Sequence, residues 1–256
     1  MSNLAIMQIP VLSDNYVYLI HDQVSKLTAC VDPAVSAPVI EAAQEQGWRI
    51  THILITHPHY DHTDGVADIV EAHGAEVYGS RHDFGEIPKC DHGLVEGDEI
   101  QLGPYTVEVL DVPGHTAHHV AYYIPDMGAV FVGDTMFSLG CGRLFGGSAA
   151  QMWSSLKKLR DLPPETGVFC AHEYTNANAD FALSVDPDNV HLIARAAEVL
   201  VLRENGQATV PSSLESEIHC NPFLRCDIPA FKVHLGMADA NAEDVFAEIR
   251  KQKDNF

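Results

Sequence analysis

Basic residues are scarce in this 256-residue chain: 15 Lys and Arg stand against 36 Asp and Glu, a formal net charge of −21. A field of that sign repels polyanions, which argues against nucleic acid or an anionic membrane as partner. It also means that an anionic ligand would have to be gripped by a few local cations. Paired cysteines are missing too, because Cys30, Cys90, Cys141, Cys170, Cys220 and Cys226 are scattered without a C-x-x-C. A chain this long needs no disulfide staples, so reduced thiols and a cytoplasmic setting are expected. No apolar run approaches the roughly 18–20 residues that span a bilayer. The opening MSNLAIMQIPVL has neither the basic region nor the small-residue cleavage site of a secretory leader. There is no low-complexity segment and no obvious repeat. What remains is 46% hydrophobic residues, ample for a buried core, and a soluble, unprocessed protein is expected.

Short runs rich in β-branched and aromatic residues, bounded by Gly, Pro or Asp, predict strands at Tyr16–Ile20, Leu27–Val31, Ile50–Thr56, Tyr105–Val112, His119–Ile124 and Ala129–Gly133. Helical periodicity predicts helices at Ala37–Gln46, Gly65–His73 and Ala149–Leu159. After about Tyr174 the character turns helical, notably at Asn189–Asn205 and Ala242–Lys253, interrupted by TVPSSLESEIHCNPFLR. An α/β layered domain over residues 1–173 and a smaller, mainly helical one over residues 174–256 are expected.

Four loops share one design, in which a short apolar strand runs straight into metal-type ligands. ILIT leads into His57, His59, Asp61 and His62; VEVLDVPG into His115; AVFVG into Asp134; GVFCA into His172. Loops at one end of neighbouring strands converge readily on a rigid sheet. Five histidines and two aspartates exceed what one tetrahedral ion takes, but suit two ions sharing a carboxylate. Imidazole and carboxylate without thiolate fit zinc, iron or manganese, and the ligand set alone does not choose among them. A metal lowers the pKa of bound water from about 15.7 toward about 7, so hydrolysis is the expected reaction class. His118 and His119 are read as supports rather than ligands. His21, His52, His73, His82, His92, His191, His219 and His234 carry no spacing signal and are read as surface or hydrogen-bonded residues.

Through these residues the chain resembles the metallo-β-lactamase superfamily, which implies a four-layer αβ/βα sandwich with a metal site at one edge. THPHYDH, PGHTAHH, FVGDT, GCGRLFGGSA, AHEYT, TVPSSLESE, NPFLR and RKQKD together resemble, more narrowly, the glyoxalase II family of hydroxyacylglutathione hydrolases. The resemblance implies one ion on His57, His59 and His115, a second on Asp61, His62 and His172, and Asp134 bridging them. Zinc comes first among the metals, with iron and manganese open. The implied reaction is hydrolysis of S-D-lactoylglutathione and related S-2-hydroxyacylglutathiones, the second step of methylglyoxal disposal. A hydroxide bridging the ions attacks the thioester carbonyl, Asp134 and Asp61 serve as the catalytic carboxylates, and glutathione thiolate leaves.

By the same resemblance the glutathione moiety is held by Arg143, Phe145, Tyr174, Arg250 and Lys253, where arginine grips a carboxylate with a fork of donors. Without the resemblance, Arg250 and Lys253 read as an ordinary solvated helix face. Two positions depart from the family's pattern: Phe145, where tyrosine is frequent, and Gly147, where an acidic residue is common. Cys141 is read as a packing residue. A single-iron glutathione persulfide dioxygenase and a non-catalytic metal-binding protein are the rival readings, and a monomer is expected.

Overall fold

The protein is described from a computed structural model covering residues 3–256. It folds as two compact units. One runs through Asp111 and takes in His118–Gly133; the other comprises Val112–Ala117 and Asp134–Phe256.

The first unit carries strands β1 (Leu4–Val11), β2 (Asn15–Asp22) and β3 (Thr28–Val31), helix α1 (Ala37–Glu45), strand β4 (His52–Leu54) and helices α2 (Tyr60–Thr63) and α3 (Val66–His73). Strands β5 (Glu76–Ser80), β6 (His92–Leu94), β7 (Glu99–Leu102), β8 (Tyr105–Asp111), β9 (Val120–Ile124) and β10 (Ala129–Gly133) follow. The first six strands pair in chain order, antiparallel from β1 to β3 and parallel from β3 to β6. β7, β8, β9 and β10 pair in that order, all antiparallel. Helices α1 and α3 close one side of the core with Val39, Ala43, Val66 and Ile69, packed with Val17, Leu19, Ile53 and Val77 from the strands. Between the two sets of strands, Tyr18 meets Phe131 edge-on at 5.4 Å and Tyr122 Oη donates to Ile55 O at 2.7 Å. β1 was not anticipated. Its Pro10 cannot donate to a ladder, which is tolerable because β1 is an edge strand pairing only with β2.

The second unit carries a two-strand pair, β11 (Met136–Phe137) with β12 (Gly140–Cys141), then helix α4 (Ala149–Arg160), strand β13 (Gly167–Cys170) and helices α5 (Thr175–Val185) and α6 (Val190–Glu204). Strand β14 (Ser212–Ser213) and helices α7 (Leu214–Cys220), α8 (Pro229–His234) and α9 (Ala242–Asp254) complete it. α4 starts on a full capping box between Ser148 and Gln151 and buries Met152, Trp153, Leu156 and Leu159. Trp153 faces Phe246 of α9 at 6.5 Å, and Phe246 meets Phe223 at 5.7 Å. TVPSSLESEIHCNPFLR, expected only as an interruption, contains β14 and α7. Ser213 caps α7 by accepting from Ser216 N, and Asn221 ends it, opening a 3-10 turn at Pro222–Leu224.

Candidate metal centre

In the first unit the ligand run begins where β4 ends. Asp32, just beyond β3, is 3% exposed and organises it. Its Oδ1 accepts from Thr56 N at 2.8 Å, and its Oδ2 accepts from Thr56 Oγ1 at 2.7 Å and faces His62 Nδ1 at 3.0 Å. A hydroxyl has one hydrogen, and that of Thr56 goes to Asp32. His57 Nδ1, 3.0 Å from Thr56 Oγ1, must therefore be the donor, which leaves the His57 Nε2 lone pair facing away. His62 likewise donates through Nδ1 to the carboxylate and keeps Nε2 as an acceptor. One buried aspartate thus sets the tautomer of two histidines.

His57 Nε2 lies 2.9 Å from His59 Nδ1. Two nitrogens each roughly 2.05 Å from a tetrahedral ion sit about 3.3 Å apart, so this spacing is close to what a shared ion requires. Asp61 and His62 occupy the short helix α2 rather than a loop, with His62 Nε2 3.9 Å from Asp61 Oδ2. Asn15 Nδ2 holds Asp61 by donating to its carbonyl at 3.1 Å. The run closes on Gly65, whose N–H donates to Pro33 O at 2.9 Å. A Cβ there would stand 2.6 Å from Val35 C, so only glycine admits this turn. His119 stacks on His57 at 4.6 Å and its Nδ1 lies 3.0 Å from Val120 O, a supporting position; His118 stacks on His82 at 4.7 Å.

In the second unit Asp134, 7% exposed, divides its two oxygens between two histidines. Oδ2 is 3.5 Å from His115 Nε2, and Oδ1 is 3.3 Å from His172 Nε2. His115 Nδ1 donates to Arg143 O at 2.9 Å, so its Nε2 carries a lone pair toward a carboxylate oxygen. Two acceptors at that distance are favourable with a cation between them, and ligand bonds of roughly 2.0–2.2 Å give about this separation. The donor chemistry and spacing of both units therefore suit divalent metal. The loop is close-packed: a Cβ on Gly142 would meet Asp134 O at 2.1 Å and His115 Nδ1 at 2.9 Å. Gly147 is equally confined, its absent Cβ falling 2.6 Å from Gly114 Cα, so no side chain, acidic or other, has room there.

Of the residues expected to grip substrate, Arg143 is exposed, Phe145 is 66% exposed and Tyr174 is 38% exposed. Tyr174 stacks on His172 at 4.7 Å, meets Phe137 edge-on at 5.2 Å and lines an open cleft of about 530 Å³ with Ala177, Leu200 and Arg203. Phe145 packs against His115 at 5.3 Å. Arg250 is no solvated helix residue: it is 4% exposed, and its guanidinium lies over Phe223 at 5.2 Å. It donates to Cys141 O at 2.9 Å and, from Nη2, to Asp254 Oδ1 at 2.8 Å. Lys253 Nζ donates to Ala177 O at 2.9 Å, and burial, then Arg250 and Arg143, hold its ammonium below the usual lysine range. Burial pushes the Cys141 thiol up to about 11, in keeping with a packing role.

Asp32 and Thr56, which orient His57 and His62, are not among the residues that the sequence singles out. A signal existed, since TACVD runs an apolar strand into an aspartate just as AVFVGD does.

Comparison with known proteins divides the chain in two. Residues 14–172 match the family model described as metallo-beta-lactamase superfamily, and residues 173–256 match hydroxyacylglutathione hydrolase C-terminus. A hydroxyacylglutathione hydrolase from Methylococcus capsulatus is 53% identical over 99% of both chains. A metallo-beta-lactamase from Staphylococcus aureus, 24% identical, covers 99% of this chain and 72% of its own with a TM-score of 0.68. TTHA1623, solved in a di-iron-bound form, is 31% identical over 66% of this chain and 91% of its own, with a TM-score of 0.54. The αβ/βα sandwich with a mainly helical C-terminal part, expected from the sequence, is the fold these similarities carry.

Proposed function

Because this chain belongs to the hydroxyacylglutathione hydrolase family of the metallo-beta-lactamase superfamily, we propose that it hydrolyses the thioester of S-D-lactoylglutathione and related S-2-hydroxyacylglutathiones. The products are D-lactate, or the corresponding hydroxy acid, and glutathione. The observation that carries this reading is the Asp134 carboxylate, whose two oxygens face His115 Nε2 and His172 Nε2 at 3.5 and 3.3 Å. A carboxylate so divided suits a bridge between two ions.

His57, His59 and His115 would hold one ion and Asp61, His62 and His172 the other, with Asp134 shared between them. Zinc is the first choice, with iron or manganese as alternatives; the di-iron form of TTHA1623 supports a binuclear reading of this fold. When bound, such a pair supplies Lewis acidity and water ionised near neutral pH. Asp32, through Thr56 and His62, keeps ligand lone pairs directed outward before any ion arrives. Asn15 restrains Asp61 by its carbonyl. A thiolate is a good leaving group, so no side chain need act as a strong general acid.

Arg143, Phe145, Tyr174, Arg250 and Lys253 bind the glutathione moiety, and the three cations among them offset the −21 net charge for an anionic tripeptide. The role of Arg250 is partly to position the Cys141 carbonyl, as its burial indicates. Residues 1–173 carry the chemistry, and residues 174–256 contribute Tyr174, Arg250 and Lys253 to the substrate grip, a division supported by the boundary between the two family models. The protein works as a cytoplasmic monomer; among the described residues no helix is long and apolar enough to cross a membrane.

A substrate panel of lactoylglutathione, glutathione persulfide and a β-lactam tests the reading. Turnover of lactoylglutathione alone, abolished by chelation and restored by about two metal equivalents per chain, is the expected result. No thioester turnover after reconstitution overturns it, and oxygen uptake with the persulfide would replace it with the dioxygenase.

A further inference from the structure

The motif TVPSSLESE…NPFLR is absorbed by neither the metal ligands nor the glutathione grip, yet it holds a fully buried carboxylate. Glu217 of α7 is 0% exposed, as is Asn221 at the helix end. Both aim at the turn between β11 and β12, a pair whose first strand starts two residues after Asp134. That turn is itself buried, with Ser138 1% and Leu139 0% exposed, and Leu139 has φ +59°, a left-handed conformation that a branched aliphatic residue adopts only under constraint.

The constraint is a set of side-chain bonds. Glu217 Oε1 accepts from Ser138 Oγ at 2.9 Å and Oε2 accepts from Leu139 N at 2.8 Å. Asn221 Nδ2 faces Phe137 O at 3.2 Å, Gly140 O at 3.0 Å and Glu217 Oε2 at 3.0 Å. Asn178 of α5 donates to Ser138 O at 3.1 Å. Buried polar groups left without such bonds are strongly disfavoured, so the turn has one stable arrangement.

What the turn delivers on either side belongs to the proposed site. Phe137 sets its ring 5.8 Å from His172 and 5.2 Å from Tyr174. On the return strand and just beyond it, Cys141 O anchors Arg250, Gly142 N donates to Thr135 O, and Arg143 O accepts from His115 Nδ1. With Gly142 packed against Asp134 O and His115 Nδ1, a shift of the turn is a shift of both ligands.

We propose that Glu217, with Asn221, is a positioning residue of the metal centre, fixing Asp134 and His115 through the buried turn Phe137–Gly140. It touches neither metal nor substrate. The inference rests on the assignment of Asp134 and His115 as metal ligands, not on the identity of the thioester.

The test uses full-length protein loaded with cobalt(II), whose visible absorption reports ligand geometry, together with zinc affinity from competition with a chromophoric chelator. Glu217→Gln is nearly isosteric but replaces a charged acceptor by a neutral amide, whose single oxygen keeps the Leu139 and Asn221 donors only by turning its NH2 onto Ser138 Oγ. It is expected to alter the cobalt spectrum at saturating metal and to weaken zinc about tenfold, the lower end of what outer-shell changes cost. Ser138→Ala, which removes one hydroxyl and leaves the packing intact, gives the same spectral change in smaller degree and stands in should Glu217→Gln not fold. An unchanged spectrum and unchanged zinc affinity in the folded variants, with only thermal stability lowered, would mean a purely structural carboxylate and overturn the proposal. Because both readouts are free of turnover, protein that binds metal normally but leaves lactoylglutathione intact would count against the proposed function alone.

Discussion

At the scale of single residues, the most consequential side chain outside the ligand motif is Asp32. Asp32→Asn keeps the shape but presents a donor where Thr56 Oγ1 and His62 Nδ1 now donate. His62 would then take the opposite tautomer, with Nε2 protonated. Metal affinity is expected to fall about 10–100-fold, measured by chelator competition, with a melting curve to show that the variant folds. The cations separate in a different way. Arg143 is exposed, so Arg143→Ala should raise KM for lactoylglutathione and leave Tm unchanged. Arg250→Ala removes charge-assisted bonds to Cys141 O and Asp254 at a buried position, so it should raise KM and also lower Tm by several degrees. Equal Tm losses in the two variants would contradict this division.

At the scale of elements, α4 follows the loop that carries Arg143 and Phe145, and its capping box is the firmest local signal in that stretch. Ser148→Ala is expected to cost about 1 kcal/mol, or roughly 2–4 °C in Tm for a chain of this size, read by calorimetry. Such elements were legible in the sequence because their apolar periodicity and end signals agree. α1, α3, α4, α6 and α9 lie within a residue or so of their expected spans, as do β8, β9 and β10. What was missed has local chemistry that conflicts with its tertiary role. β1 contains a proline, β6 is three residues long, and α7 is rich in Ser and Glu, with its glutamate turned inward onto a distant turn. The candidate ligands stood out in the sequence because each run that carries them follows a short apolar strand. Asp32 ends one too, but without neighbouring histidines nothing distinguished it from the acidic background.

At the scale of the whole molecule, charge sets the response to pH. Burial, the largest cause, holds His21, His52 and His73 below the usual histidine value of 6.5. The folded state favours their neutral form, so the unfolded chain takes up protons first as pH drops. Their contribution is complete above pH 6.5 and declines below it. Glu76, lowered by its bonds to Tyr78 and His92, and Asp227, lowered by Arg160, lose their contribution only at lower pH, beneath ordinary carboxylate values. Melting temperature is therefore expected to start falling below pH 6.5, before the ordinary carboxylate range is reached. The measurement belongs in about 1 M monovalent salt, where a Debye length of roughly 3 Å removes the self-repulsion of the net charge. A flat profile across that interval would contradict the histidine assignment. One further consequence follows from the cysteines. Five are buried and Cys90 alone is half-exposed, while burial raises the Cys30, Cys170 and Cys226 thiols well above the ordinary range. An enzyme whose product is itself a thiol works amid glutathione and its disulfide, and mixed disulfides form through accessible thiolates. Burial raises the Cys90 thiol as well, so even the half-exposed cysteine gives up its proton reluctantly and the chain stands largely apart from the redox exchange that its product enters.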